Sequence, residues 1–141
     1  MNEQTVVEQT LANEKYARKI LPFVDLDYFE SFSSKWILQK VISFVEKYNK
    51  IPTQTSLEIE VSTRKDLNDN EHKKIVEIIK TLNKEVIDFD WLVDTTEKFV
   101  KDKAIYNAIV EGVGIIDGKS KDKTPEAIPH ILTEALAVSF D

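Results

Sequence analysis

Residues Asp90 to Asp141 read DWLVDTTEKFVKDKAIYNAIVEGVGIIDGKSKDKTPEAIPHILTEALAVSFD. From Asp90 to about Ile116 there is no Pro, and the first Gly is Gly112. Leu92, Phe99, Tyr106 and Val113 are spaced by seven, and Ile105, Ile109 and Ile116 add a neighbouring row. This pattern predicts one helix of roughly 25 residues, ~40 Å long at 1.5 Å per residue. The polar run Asp117 to Thr124 is a turn, and a last helix follows with Pro125 or Pro129 in its first turn. That helix shows Ile128, Ile131, Leu132, Ala135 and Leu136 on one face. Two helices joined by a short polar loop make an antiparallel hairpin. A hairpin this long outruns the globule that precedes it. Phe99, Tyr106, Ile109, Val113 and Ile116 cover more of the long helix than one neighbour can shield. Together with Ile131, Leu132 and Leu136 of the return helix they are the candidate subunit interface.

Upstream, the signals are those of shorter helices. Val6, Val7 and Leu11 can share a face of a first helix over Thr5 to Ala12, and Asn13 is placed to cap a second that runs towards Pro22. Asp25, Asp27 and Ser31 mark a loop, and the aromatics Phe23, Tyr28, Phe29 and Phe32 are expected to pack beneath it. Trp36, Ile37, Val41, Phe44, Val45 and Tyr48 recur at three- and four-residue spacing, which predicts a half-buried helix starting near Ser33 or Ser34. Asn49 and Lys50 stop it, and Pro52 bars continuation. Thr53 or Thr55 caps a short helix with Leu57, Ile59 and Val61. Asn68 or Asp69 caps the next, whose stripe is Ile75, Ile78, Ile79 and Leu82. Trp36 and Trp91 are expected to be core anchors. The fold class is therefore all-α: a small helical bundle over residues 1–88, then a protruding two-helix hairpin over 89–141.

Composition narrows the function classes. With 42% hydrophobic and 31% charged residues the chain is of ordinary globular make-up, and 3 Gly and 4 Pro in 141 residues favour helices over turns. No apolar run approaches the ~20 residues that cross a bilayer. The absence of Cys removes disulfides and thiolate ligands. A net charge of -6 argues against nucleic-acid binding as the main task, because that affinity comes from Lys and Arg neutralising phosphates.

Candidate chemistry fails on spacing. Gly118, Lys119 and Ser120 imitate the end of a phosphate loop, but the required earlier glycine falls on Val113, and the stretch closes a helix where a phosphate loop opens one. It reads as a glycine stop. His72 and His130 stand alone, without a second ligand at metal spacing. The pairs Asp25/Asp27 and Asp88/Asp90 precede helices and read as caps. Ser33 and Ser34 have no neighbouring base. The run Lys98 to Lys103 reads as a solvated helix face. No catalytic, cofactor or metal site is expected.

Four stretches carry a resemblance: PFVDLDYFES (Pro22 to Ser31), EKYNKIPTQTSLEIEV (Glu46 to Val61), DWLVDTTEKFVKDKAIYNAI (Asp90 to Ile109) and AIPHILTEALAVSFD (Ala127 to Asp141). With them the chain resembles the N-terminal domain of replicative hexameric helicases of the DnaB type, above all the primase-helicases of T-even-like phages. The resemblance implies a helical bundle with a hairpin whose copies pair, the pairs forming a collar of three dimers on a six-membered ring. It implies docking of primase and helicase loader on that collar, in the cytoplasm of an infected host. It also implies an ATP- and Mg-dependent motor, joined through a linker that would begin near Ser139 to Asp141. The sequence lacks that motor, so it is expected neither to hydrolyse ATP nor to unwind DNA, and to be a domain of a longer protein or a short natural product. The competing reading is a free-standing adaptor or inhibitor whose hairpin caps a different protein.

Overall fold

The computed structural model describes residues 1–141 and contains helices and turns only. The elements are α1 (Glu3–Ala12), α2 (Glu14–Ile20), α3 (Phe32–Tyr48), α4 (Gln54–Ser62), α5 (Asp69–Lys80), α6 (Phe89–Ile116) and α7 (Ile128–Leu136). Short 3-10 turns lie at Leu21–Phe23, Leu26–Tyr28 and Pro125–Ala127. The all-helical bundle with a hairpin expected from the sequence is the observed architecture.

Polar side chains set the helix starts. Asn2, Asn13, Ser31, Thr53, Asn68 and Asp88 each accept a backbone N–H of the first turn that has no intrahelical acceptor. At α5 the arrangement is reciprocal: Asn68 Oδ1 accepts from the Glu71 N–H at 2.8 Å, and Glu71 Oε1 accepts from the Asn68 N–H at 3.0 Å. The choices left open by sequence thus fall on Thr53 and Asn68. Two helices begin earlier than expected: α1 at Glu3 and α3 at Phe32. Asn49 ends α3 in the left-handed region at φ 54°, which Asn tolerates better than most residues.

The core gathers Val6 and Val7 of α1, Tyr16 and Ile20 of α2, Ile37, Leu38 and Val41 of α3, and Ile75 and Ile79 of α5. Leu92 and Val100 of α6 and Phe140 belong to the same cluster, so the root of the hairpin is built into the bundle. Beyond Val100 the surroundings of α6 change. Ala104, Ala108 and Ala135 form a separate small cluster with Ile105, Ile131 and Leu132 around them, and this is the α6–α7 contact.

Several large side chains lie elsewhere than expected. Phe32 is exposed, because it shares a face of α3 with the exposed Gln39 and Ser43, seven and eleven residues on; of the loop aromatics only Phe29 is fully buried. Trp91 is 58% exposed for the same reason, lying on the α6 face that carries Lys98 and Asp102. Tyr48 is exposed at the end of α3, where Phe44 packs on it with ring centroids 4.7 Å apart. Ile59 faces solvent while Leu57 and Val61 of α4 point inward. Leu82 follows the end of α5 and so extends its stripe from outside the helix. Leu136 is exposed, roughly a quarter turn around α7 from the row that meets α6.

Candidate assembly surface on the helical hairpin

The 28 residues of α6 span ~42 Å. Its buried residues are Leu92, Thr96, Val100, Ala104, Ala108, Gly112 and Ile115, a series that advances mainly by four. Each step of four residues turns about 40° beyond a full turn at 3.6 residues per turn. The buried stripe therefore winds around the helix, from the bundle side at Leu92 to the α7 side at Ala108. A row spaced by seven drifts the other way, by ~20° per heptad. The row Leu92, Phe99, Tyr106, Val113 accordingly runs from fully buried, through half-buried, to 59% and 53% exposed.

The two stripes diverge, and the outer one is apolar. Tyr106, Ile109, Val113 and Ile116 recur at three, four and three residues, the spacing of a helix-pairing seam, and all four are exposed, Ile116 to 70%. Val110 lies beside them at 53%. Phe99, at the lower end of the seam, is half-buried and packs on Phe29 at 6.2 Å between ring centroids. Of the return helix, Ile131 and Leu132 are half-buried on the alanine cluster, and Leu136 stands exposed. The structure thus brings Tyr106, Ile109, Val113 and Ile116 together on one outward face. Phe99, Ile131 and Leu132 are half-buried against the chain's own residues.

The α6–α7 contact rests on small residues. A Cβ built on Gly112 would sit 3.7 Å from Ile128 Cγ2, an ordinary van der Waals contact, so Ile128 of α7 lies over Gly112 with room for a methyl group. The signal in the sequence is the run Ala104, Ala108, Gly112, which a search for large apolar residues passes over. At the hairpin tip, Lys123 Nζ donates to Glu111 Oε1 at 2.6 Å and ties the turn to α6. That hydrogen bond first, and the negative charge of Glu111 second, raise the Lys123 pKa above the ordinary lysine value. Gly118, at φ 75°, ends α6: its N–H donates to the Ile115 carbonyl at 3.1 Å, and the Lys119 N–H to the Gly114 carbonyl at 2.9 Å. This is a glycine stop of the Schellman type, as the spacing predicted.

The remaining polar candidates sit in structural roles. Asp25 accepts from the Asp27 N–H and Asp88 from the Trp91 N–H, each at a helix start. Ser33 and Ser34 are buried in the first turn of α3. His130 Nε2 lies 3.1 Å from Glu134 Oε1, one turn along an exposed face of α7. In the run Lys98 to Lys103, Lys98 pairs with Asp102 at 3.0 Å and Lys103 with Glu30 at 3.7 Å. An apolar groove of about 330 Å³ between α2 and α3 is lined by Ala17, Leu21, Pro22, Ile42, Val45 and Ile51, with Arg18 and Glu46 at its edge. Arg18 is held there by the Asn49 carbonyl at 2.8 Å and by Glu14 at 3.1 Å. No helix is long and apolar enough to cross a membrane.

Comparison with known proteins bears out the resemblance read from the sequence. The chain is 28% identical, over an alignment of 146 positions, to a DnaB-like replicative helicase of Enterobacteria phage T4. The alignment takes in 98% of this chain and 30% of that relative, the share one domain of such a protein would occupy. No family model matches the chain.

Proposed function

We propose that this chain is an assembly domain of a phage replicative DNA helicase, and that two copies pair through the outward face of α6. The observation that carries this reading is the seam of Tyr106, Ile109, Val113 and Ile116, apolar and exposed on the part of α6 that reaches past the bundle. Likeness to a replicative helicase over nearly the whole chain supplies the context. Covering the exposed halves of these side chains and of Leu136 is worth about 1 kcal/mol each, counted on both partners. That is of the order needed to offset the association cost of about 4–15 kcal/mol, so pairing of the domain alone depends on concentration, and linkage within a ring strengthens it.

In the whole protein, three such pairs form a collar on a hexameric ring and offer docking surface to primase and helicase loader. ATP and Mg serve a motor domain outside these residues, and this segment itself performs no catalysis. The setting is the cytoplasm of an infected host cell. Sedimentation velocity over a concentration series tests the central claim, with a monomer–dimer or higher equilibrium as the expected result. A monomer persisting at high micromolar concentration removes the physical basis for assembly by this domain. Isothermal calorimetry with ATP and magnesium is expected to show no heat of binding. A dissociation constant in the micromolar range, lost in Lys119→Ala, would overturn that part.

A further inference from the structure

The segment after α7 turns back onto the bundle and is gripped there by four contacts. Phe140 is 2% exposed and stacks on Phe23 of the first 3-10 turn, with ring centroids 5.2 Å apart and planes 20° from parallel. Its N–H donates to Glu97 Oε2 of α6 at 2.6 Å, and its carbonyl accepts from Lys19 Nζ of α2 at 3.3 Å. Ser139 Oγ adds a longer contact to the same Glu97 oxygen at 3.5 Å. Both the side chain and the backbone of Phe140 are thus held by α2, the turn after it, and α6.

By contrast, α7 has little of its own to hold it. It is 9 residues long, it lacks a side-chain cap, and Ala135 is its one buried residue. An isolated helix shorter than ~12 residues is marginal in water, so α7 depends on Ile131, Leu132 and Ala135 packing on α6 and on contacts at its two ends. One end is the Ile128 contact with Gly112, and the other is the segment leading to Phe140.

We infer that Phe140 is a clasp: seated, it straps α7 along α6, and unseated, it lets α7 loosen and uncovers the small-residue face of α6 at Ala104, Ala108 and Gly112, while the bundle stays folded. The bundle is expected to hold without the strap, since α1 to α5 and the root of α6 also pack on one another through Val6, Ile20, Ile37, Leu57, Ile75 and Leu92. The clasp therefore sets which faces of the hairpin are apolar and open. It stands independently of whether copies of the domain pair.

Native-state hydrogen exchange on the full chain, read residue by residue, tests this with two variants. Phe140→Ala is expected to speed exchange of the α7 amides by about ten-fold or more relative to those of α3 and α5. Glu97→Ala keeps every core side chain and removes the acceptor for the Phe140 N–H, so it is expected to speed the same α7 amides selectively, by a smaller factor. Selective acceleration in either variant supports the clasp. Unchanged α7 exchange in both variants overturns it. So does acceleration by one common factor across α3, α5 and α7, which would make Phe140 an ordinary member of a single cooperative core.

Discussion

Tyr16 donates its phenolic proton to Thr96 Oγ1 at 2.7 Å, across the contact between α2 and α6. The direction follows from a second bond. Thr96 has one hydroxyl proton, and it is given to the Leu92 carbonyl at 2.7 Å, one turn back along α6. Both side chains are fully buried, so this is the polar joint that orients the root of the hairpin on the bundle. Thr96→Val strands the Tyr16 hydroxyl without a partner and is expected to cost about 1–3 kcal/mol. Tyr16→Phe removes the donor and leaves Thr96 bonded to Leu92, so about 1 kcal/mol is expected. Urea unfolding of the two variants and the wild type gives the order directly.

The same tyrosine makes stability depend on alkaline pH. Burial pushes the Tyr16 pKa up from 10.0 to about 12, and the Thr96 hydroxyl, which can turn from the Leu92 carbonyl to donate to the phenolate, offsets only part of the rise. Its folded value lies above its unfolded one, so between the two the folded state holds the proton more tightly than the unfolded state does. The stabilisation is complete below pH ~10 and is lost as pH rises through ~12. Tyr28 is shifted in the same direction, by burial and by the charge of Asp25, and adds to the slope. Tyr16→Phe is therefore expected to flatten the fall in denaturation midpoint above pH 10 without abolishing it.

The long helix was legible in the sequence because its evidence is local: a run without Pro and a first Gly at position 112. The caps at Asn13 and Asn68 were legible for the same reason. Legibility ended where two neighbours compete for one helix. The sevenfold row from Leu92 to Val113 marks a helix but not its neighbours, and the bundle and α7 approach α6 from different sides. Composition alone misplaces Trp91 and Phe32, since a large apolar residue at a helix start is placed by its face, and both faces carry polar residues two and three turns on. The outward seam was found by spacing. That Phe99, Ile131 and Leu132 are half-buried depends on Phe29, Ala104 and Ala108, which lie far from them in sequence.

The three glycines occupy different backbone settings and should respond differently to alanine. Gly114 lies inside α6 with open space where a Cβ would go. Gly114→Ala is expected to stabilise by about 1 kcal/mol through helix propensity. Gly118 sits at φ 75°, so Gly118→Ala is expected to cost about 1 kcal/mol or slightly more. Gly112→Ala meets Ile128 at ordinary contact distance and should be neutral or mildly stabilising. Thermal unfolding by circular dichroism separates a gain from a loss at these positions.

Weak binding to single-stranded DNA is expected at physiological salt. Charge balance is the reason: with net charge -6 the domain has little counterion release to gain, and Lys98 and Lys103 already face Asp102 and Glu30. Fluorescence anisotropy with a labelled oligonucleotide measures it. Tight binding that weakens steeply with added salt, and that is lost in Lys98→Ala with Lys101→Ala, would show the basic run to be a phosphate-binding face.

Placing a charge on adjacent residues of α6 separates pairing from folding. Ile109 is 53% exposed on the outer seam, and its neighbour Ala108 is 5% exposed against α7. Ile109→Glu can keep its carboxylate in water in a lone domain, so helix content and unfolding midpoint should stay near those of the wild type. In a pair the same carboxylate loses water opposite apolar side chains, and the monomer–dimer dissociation constant is expected to rise by ten-fold or more, at about 1.4 kcal/mol per ten-fold. Ala108→Glu should do the reverse, disturbing the α6–α7 contact and lowering the unfolding midpoint whether or not the domain pairs. Sedimentation velocity and circular dichroism on the two variants give a pattern of four readings. Loss of self-association with unchanged folding in Ile109→Glu places the partner on the seam. Self-association unchanged in Ile109→Glu, and equally in Ile116→Glu two turns further on, would mean that the seam is not where copies of this chain meet.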